Sequence, residues 1–277
     1  MVVNDRVAVV TGGASGIGLA LVNQFLRDGM RVVMADVDDE ALNRAADSIG
    51  AKSSKLLCVK TDVADAHEVE SLANQTLEHF GSVYVVCNNA GVNAYGFRTW
   101  DAPLATWEWV FRVNLWGLIH GIRTFVPLLI DANEGHIFNV SSRAGMIGLP
   151  NLAPYTATKH AIIGVSESLQ RELNEIGSAV KVSVVVPTRT KTRIRSSSRL
   201  WPNDLGPSAA VGGQDPERDE NPNLDGAQDP AELAREVSSA VDTDRFFVFG
   251  SLEEAVSWHS SRLWRISGKG MDNAQWE

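Results

Sequence analysis

The chain has 277 residues, 44% of them hydrophobic, and a formal net charge of −9. That length allows one large α/β domain or two small ones, and the apolar share is ordinary for a packed core. The acidic balance excludes a broad nucleic-acid or anionic-membrane binder, and no continuous apolar run reaches the ~20 residues that span a bilayer.

Met1–Arg6 leads directly into an apolar run, with no leader-like stretch before it. Arg6–Val10 reads as a short buried strand. Thr11-Gly12-Gly13-Ala14-Ser15-Gly16-Ile17-Gly18 follows, and then a helical pattern through Leu19, Leu21, Val22, Phe25 and Leu26. Strand, glycine turn and helix is the layout that begins a dinucleotide-binding βαβ unit. Gly12 permits the tight turn, Gly16 lets the backbone approach a pyrophosphate, and Gly18 lets the helix pack on the strand. The free N–H groups at the helix start attract phosphate. The spacing is G-x-x-x-G-x-G, and taken alone a purely structural turn is a fair rival reading.

The next strand, Arg31–Ala35, ends in Asp36, eighteen residues after Gly18. A carboxylate there accepts hydrogen bonds from an adenosine ribose and repels a 2′-phosphate. Asp38 and Asp39 add negative charge, and no arginine sits in the glycine turn. The expected cofactor is therefore NAD rather than NADP.

Lys55–Lys60 and Val83–Cys87 read as further strands, followed by Asp62-Val63 and by Asn88-Asn89-Ala90-Gly91. Cys58 and Cys87 fall in these two strands and are expected to be buried, reduced thiols of a cytoplasmic protein. Trp107, Trp109 and Trp116, with Phe111, lie on one helical segment before Pro127, where core and subunit interface weigh equally. His120, His136 and His160 show no metal-ligand spacing, so no metal is expected.

His136–Val140 reads as a strand and leads into Ser141-Ser142. Thirteen residues after Ser142 comes Tyr155, with Lys159 four further on. On a helix, Tyr155 and Lys159 share a face. An unperturbed phenol has a pKa near ~10 and is a poor base at neutral pH. An ammonium nearby favours the phenolate and brings it towards the working range, and a serine hydroxyl can hold a substrate oxygen. Lys181–Val186 and Arg245–Phe249 complete the strands. Alternating strands and helices imply an α/β, doubly wound, mostly parallel seven-stranded sheet with helices on both faces. Such sheets bind ligands outside the carboxyl ends of their strands, and every motif above lies at such an end.

Together these residues resemble the short-chain dehydrogenase/reductase family, in its one-domain, NAD-preferring branch. The resemblance is continuous over residues 4–195 and looser over 230–250. It implies that Asn114, Ser142, Tyr155 and Lys159 are catalytic, the spacing to Tyr155 selecting Ser142 over Ser141. It implies cofactor contacts from Gly12, Ser15, Gly16, Ile17, Gly18 and Asp36, then Asp62, Val63, Asn89, Ala90 and Gly91. Tyr155, Lys159, Pro187, Thr188, Thr190 and Thr192 complete the implied cofactor set. Asp62-Val63 matches the adenine-holding position, and Thr192 the threonine that meets the nicotinamide carboxamide. Where the family has Pro-Gly this chain has Pro187-Thr188. A stiff β-branched residue resists positive φ, so that turn is expected to differ in shape.

Pro202–Pro230 holds five of the ten prolines, four glycines and little apolar content, and reads as a long loop. Within one domain over 1–277, residues 190–230 are expected to form a substrate lid (Thr190–Leu205) and a mobile loop. Residues 251–277 form a tail, which Trp258, Leu263, Trp264 and Ile266 equip to make a packing helix. Arg189, Lys191, Arg193, Arg195 and Arg199 carry no acid among them. They form either a solvated loop or, joined by Arg143, a lid that attracts a carboxylate or phosphate on the substrate. The expected substrate pocket is Val92, Tyr95, Arg143, Leu149, Leu152 and Trp201, with Ile147 nearby, which suits a hydrophobic or aryl substrate.

The resulting expectation is a reversible NAD(H)-dependent secondary-alcohol dehydrogenase or ketoreductase. In it Ser142 holds the carbonyl oxygen, Tyr155 moves the proton and Lys159 tunes the tyrosine and binds the nicotinamide ribose. Asn114 holds a relay water. A homodimer or homotetramer is implied, with a small-molecule substrate and neither nucleic acid nor membrane as partner. The alternatives are a catalytically silent nicotinamide-binding sensor or scaffold, and a reductase of natural-product or aromatic catabolism acting on bulky carbonyls.

Overall fold

A computed structural model describes residues 3–50, 54–209 and 226–266. Strand β1 (Val7–Thr11) is wholly buried, and α1 (Gly16–Arg27) follows its glycine turn. β2 (Arg31–Asp36) leads to α2 (Asp39–Ile49), which Asp38 caps by accepting from the Ala41 N–H at 2.9 Å. β3 (Leu56–Lys60) leads to α3 (Ala66–Phe80), capped by Asp65 and closed by Gly81 at φ 78°.

β4 (Val85–Asn88) precedes a continuous helix built from α4 (Leu104–Phe111), a π turn (Arg112–Trp116) and α5 (Gly117–Ala132). β5 (His136–Val140), the short α6 (Arg143–Met146), the long α7 (Ala153–Glu175) and β6 (Lys181–Val186) follow. Two 3₁₀ segments, Ile194–Leu200 and Asn203–Leu205, precede α8 (Pro230–Ala240), β7 (Phe247–Phe249) and α9 (Leu252–Ile266).

All seven strands are parallel, in the order β3-β2-β1-β4-β5-β6-β7. A parallel sheet must be covered on both faces. One apolar layer joins alternate residues of β1, β2 and β4 to α1, α2 and α8. The other joins the intervening residues to α3, α5 and α7. The strand order reverses between β1 and β4, and a crevice opens there at the carboxyl edge.

One expectation needs correction. Cys58 is exposed and only Cys87 is buried, because β3 is an edge strand paired on one side alone. The helix Leu104–Ala132 is long and apolar enough by length and composition to cross a membrane, although no unbroken apolar run is. It packs on α3 and α7 and buries Trp109, Val110, Asn114, Leu118, Phe125 and Leu129, as a core helix does. Within that helix the tryptophans part company: Trp109 is buried, while Trp116 is 52% exposed. The stretch 210–225, expected to be mobile, lies outside the described residues, as do the side chains of Leu263, Trp264 and Ile266. Trp258 of α9 is buried against Met146 and Val186.

The thiols supply a test. Burial raises the Cys87 thiol pKa far above that of an exposed cysteine. Partial burial raises the Cys58 thiol as well, but in native protein a thiol reagent should reach Cys58, and Cys87 only once denaturant is added. Two fast thiols in the native state would contradict the burial of β4.

Candidate functional site

The carboxyl edge opens into one cleft of about 1190 Å³. Its floor at one end is the glycine turn, where Gly12 and Gly16 have φ of 62° and 53°, the left-handed region that favours glycine. A Cβ on Gly18 would lie 2.0 Å from the Gly12 carbonyl oxygen. One on Gly16 would lie 3.2 Å from Thr192, so the turn and the strip after β6 face each other closely. Asn89 fixes the turn from below, its Nδ2 donating to the carbonyls of Thr11 at 2.8 Å and Gly12 at 3.1 Å. The Thr11 hydroxyl accepts from the N–H groups of Asn89 and Ala90.

Asp36 stands at the end of β2 beside this turn. Its Oδ2 accepts from the Ala14 N–H and its Oδ1 from the Asp38 N–H, both at 3.1 Å. Burial raises its pKa, and the two backbone N–H groups pull it partly back. Asp62 folds its Oδ1 onto the Ala64 N–H at 2.9 Å and lines the same cleft.

At the centre lie Ser142, Tyr155 and Lys159. Ser142 starts α6, and its Oγ accepts from the Ala144 N–H at 3.1 Å. Tyr155 and Lys159 share a face of α7, with Nζ 5.5 Å from the phenol ring centroid. Nζ donates to the Val140 carbonyl at 2.8 Å, and burial lowers the Lys159 pKa to about 8. Burial raises the Tyr155 pKa, while a hydrogen bond with the Ser142 hydroxyl lowers it in part. The expectation that Lys159 brings Tyr155 below its ordinary value is not met in this structure, because desolvation outweighs the hydrogen bond with Ser142. Both Ser141 and Ser142 border the cleft, but Ser141 is buried and its Oγ already donates to the Lys159 carbonyl at 2.8 Å, which favours Ser142 as the serine that meets a ligand.

Asn114 does not line the cleft. It sits in the π turn, with Oδ1 accepting from the Val92 N–H at 2.8 Å. Its Nδ2 donates to the Val92 carbonyl at 3.0 Å and the Thr158 hydroxyl at 3.2 Å. The side chain expected to hold a water is committed to a clamp that positions Val92.

All seventeen residues expected at the cofactor line this cleft, from Gly12 through Thr192. Thr188 is not among the residues with positive φ. Room for it comes from Gly250, where a Cβ would meet the Thr188 backbone nitrogen at 2.9 Å. Of the expected substrate residues, Val92, Arg143, Leu149 and Leu152 line the cleft, but Tyr95 and Trp201 do not. Trp201 stands one layer back, with its ring 5.1 Å from that of Trp109, which forms the wall. Ile147 packs instead beside Met146 and Val184.

The basic stretch divides. Arg143, Arg189, Arg193, Arg195 and Arg199 line the cleft, and Lys191 does not. Sequence reasoning missed Trp109, Asn93 and Arg112. Asn93 lines the cleft, and its Oδ1 is buried with no hydrogen-bond partner. Arg112 of the π turn pairs with Asp204 at 2.7 Å and Glu108 at 2.6 Å, tying the segment Asn203–Leu205 to the helix wall. Only the Glu108 pair, four apart on a helix, had a local sequence signal. His120, His136 and His160 bond to the Val63 carbonyl, the Ser183 hydroxyl and the Thr156 carbonyl.

The sequence pattern described as short chain dehydrogenase matches residues 6–203. The chain is 35% identical over 258 residues to a 1-deoxy-11-beta-hydroxypentalenate dehydrogenase of Streptomyces exfoliatus, covering 92% of this chain and 86% of that one. It is 31% identical to a C alpha-dehydrogenase of a Sphingobium species, covering 92% and 84%. Among solved structures, a short chain dehydrogenase/reductase from Burkholderia phymatum in complex with NAD matches with a TM-score of 0.88. That structure has 32% identity and 97% and 96% coverage.

Burying Lys159 should cost stability. Its folded pKa lies below the value of 10.5 expected in the unfolded chain. The unfolded state therefore binds more protons between about 8 and 10.5, and stability rises with pH through that window. Below it the deficit is constant, at most about 3 kcal/mol. Lys159→Met also loses a hydrogen bond worth about 1 kcal/mol. Chemical denaturation should find the variant about 1–2 kcal/mol more stable than wild type at pH 7, with the gain shrinking towards pH 10. A less stable variant with no pH trend would contradict the burial.

Proposed function

This chain belongs to the short chain dehydrogenase family and is an oxidoreductase, and on that premise we propose that it interconverts a secondary alcohol and a ketone with NAD(H). The observation that carries this reading is one cleft holding the glycine turn, Asp36 and the hydrogen-bonded Ser142–Tyr155 pair above a buried Lys159.

The residues fit a dinucleotide. The glycine turn leaves backbone where side chains would clash, and α1 points its N-terminus at the cleft. Asp36 offers carboxylate lone pairs to a ribose diol, and Asp62 and Val63 flank the adenine end. When bound, the nicotinamide supplies or accepts the hydride.

The chain's own residues handle the oxygen and its proton. Ser142 holds the substrate oxygen. Tyr155 donates its proton to that oxygen in ketone reduction and takes it back in alcohol oxidation. Its raised pKa keeps it protonated at neutral pH, which suits the donor role. Lys159 has three N–H donors, of which one holds Val140, and the others serve the nicotinamide ribose. Asn114 acts through Val92 and is a positioning residue.

NAD is favoured over NADP because two carboxylates, Asp36 and Asp38, stand where a 2′-phosphate would lie. The Burkholderia relative in complex with NAD supports the same choice. Val92, Trp109, Leu149 and Leu152 favour a hydrophobic or aryl substrate, with residues 190–205 as its lid. Exposed Trp116, Trp100 and Leu104 suit a homodimer or homotetramer, and two unpaired cysteines suit the cytoplasm.

The test is a fluorescence titration with NADH and NADPH, then turnover on a panel of aryl ketones. Tyr155→Phe should lower kcat by about 10³-fold and leave the NADH Kd within about threefold. Near-normal turnover would remove Tyr155 from the mechanism, and tighter binding of NADPH would overturn the reading of Asp36.

A further inference from the structure

The segment Ile194–Leu200 brings Arg199, which lines the cleft, towards Asp38. Its Nε lies 4.0 Å from the Asp38 Oδ2, with the two side chains 29% and 20% exposed. The guanidinium is braced on its own segment, Nη1 donating to the Ser196 carbonyl at 2.7 Å. That segment is fixed in turn. Ser197 is buried, its Oγ accepts from the Asn93 N–H at 3.2 Å, and it donates to the Ile194 carbonyl at 2.6 Å. Asp38 uses its other oxygen to cap α2. Asp36 is filled on one side by Ala14 and on the other by Asp38.

We infer that Arg199 is a specificity-determining residue for the cofactor, opposing Asp36 and Asp38 at the ribose end and setting how far the cleft tolerates a 2′-phosphate. The inference rests on the nicotinamide reading of this cleft. A ribose diol donates hydrogen bonds to Asp36 and needs no cation. A 2′-phosphate is repelled by Asp36 and Asp38, and only a cation at that end offsets the repulsion. Arg199 is the cation placed there, and its field reaches Asp36 as well as Asp38. At 4.0 Å the approach to Asp38 is looser than a bidentate fork. Its sequence position, far beyond β2 and the glycine turn, is why neither motif discloses it.

The test measures Kd for NADH and NADPH by fluorescence titration in wild type, Arg199→Met, Asp36→Ser and the double variant. Asp36→Ser admits the phosphate, so weak NADPH binding in wild type does not hide the effect. Adding Arg199→Met to Asp36→Ser should weaken NADPH by about tenfold, the worth of one charge-assisted hydrogen bond, and NADH by less than about threefold. Arg199→Lys in the same background should keep part of the NADPH affinity. Equal losses for both cofactors would make Arg199 a structural latch of its segment and overturn the inference, as would no loss for either. Wild type that binds neither cofactor would overturn the nicotinamide reading itself, an outcome distinct from the other two.

Discussion

A lysine ammonium buried at the carboxyl end of β5 is the constraint around which this site is built. Lys159 can lie there only because the Val140 carbonyl accepts its Nζ at 2.8 Å. Several features hold it in place. Ser141 bonds the Lys159 carbonyl, and Gly145 lets α6 approach that carbonyl so closely that a Cβ would lie 2.6 Å from it. Gly91 lies beside the ammonium, where a Cβ would stand 3.6 Å from Nζ in ordinary contact. The adjacent Asn114 clamp fixes Val92 beside it. A buried cation with one carbonyl partner is unfavourable for stability. It puts a proton-active lysine and tyrosine within reach of one ligand, and that geometry accounts for the cost.

The rest of the cleft sorts its charges by partner. Arg112 is committed to Asp204 and Glu108. Arg199 approaches Asp38. Arg143, Arg193 and Arg195 lie along the same cleft. The basic stretch is therefore several devices on one segment, which a reading of its charge alone could not separate. Thr188, which departs from the family pattern, is accommodated by Gly250 sixty-two residues later, where a Cβ would crowd its backbone nitrogen.

Much of this was legible in the sequence. The strands His136–Val140 and Lys181–Val186 occupy the spans their apolar runs marked out. The Tyr155–Lys159 face follows from helical spacing, and the residues that line the cleft follow largely from motifs at strand ends. What sequence missed depends on partners far along the chain. Cys58 is exposed because β3 lies at an edge, and edge position belongs to the sheet order rather than to the strand. Trp201 packs on Trp109, and Asn114 bonds to Val92, twenty-two residues away. The direction of the Tyr155 pKa depends on how dry its pocket is, and a four-residue spacing carries no information about desolvation.

The central claim is that Tyr155 and the dinucleotide cleft form a single redox site. The most direct measurement is a pH titration of phenolate absorbance, taken as the difference between wild type and Tyr155→Phe, with and without NAD. The oxidised nicotinamide ring carries a positive charge, which beside the phenol stabilises phenolate. The account predicts ionisation above the ordinary ~10 for the free protein and at least about tenfold greater acidity with NAD. The same midpoint in both titrations would contradict it, because it would separate the tyrosine from the cofactor cleft.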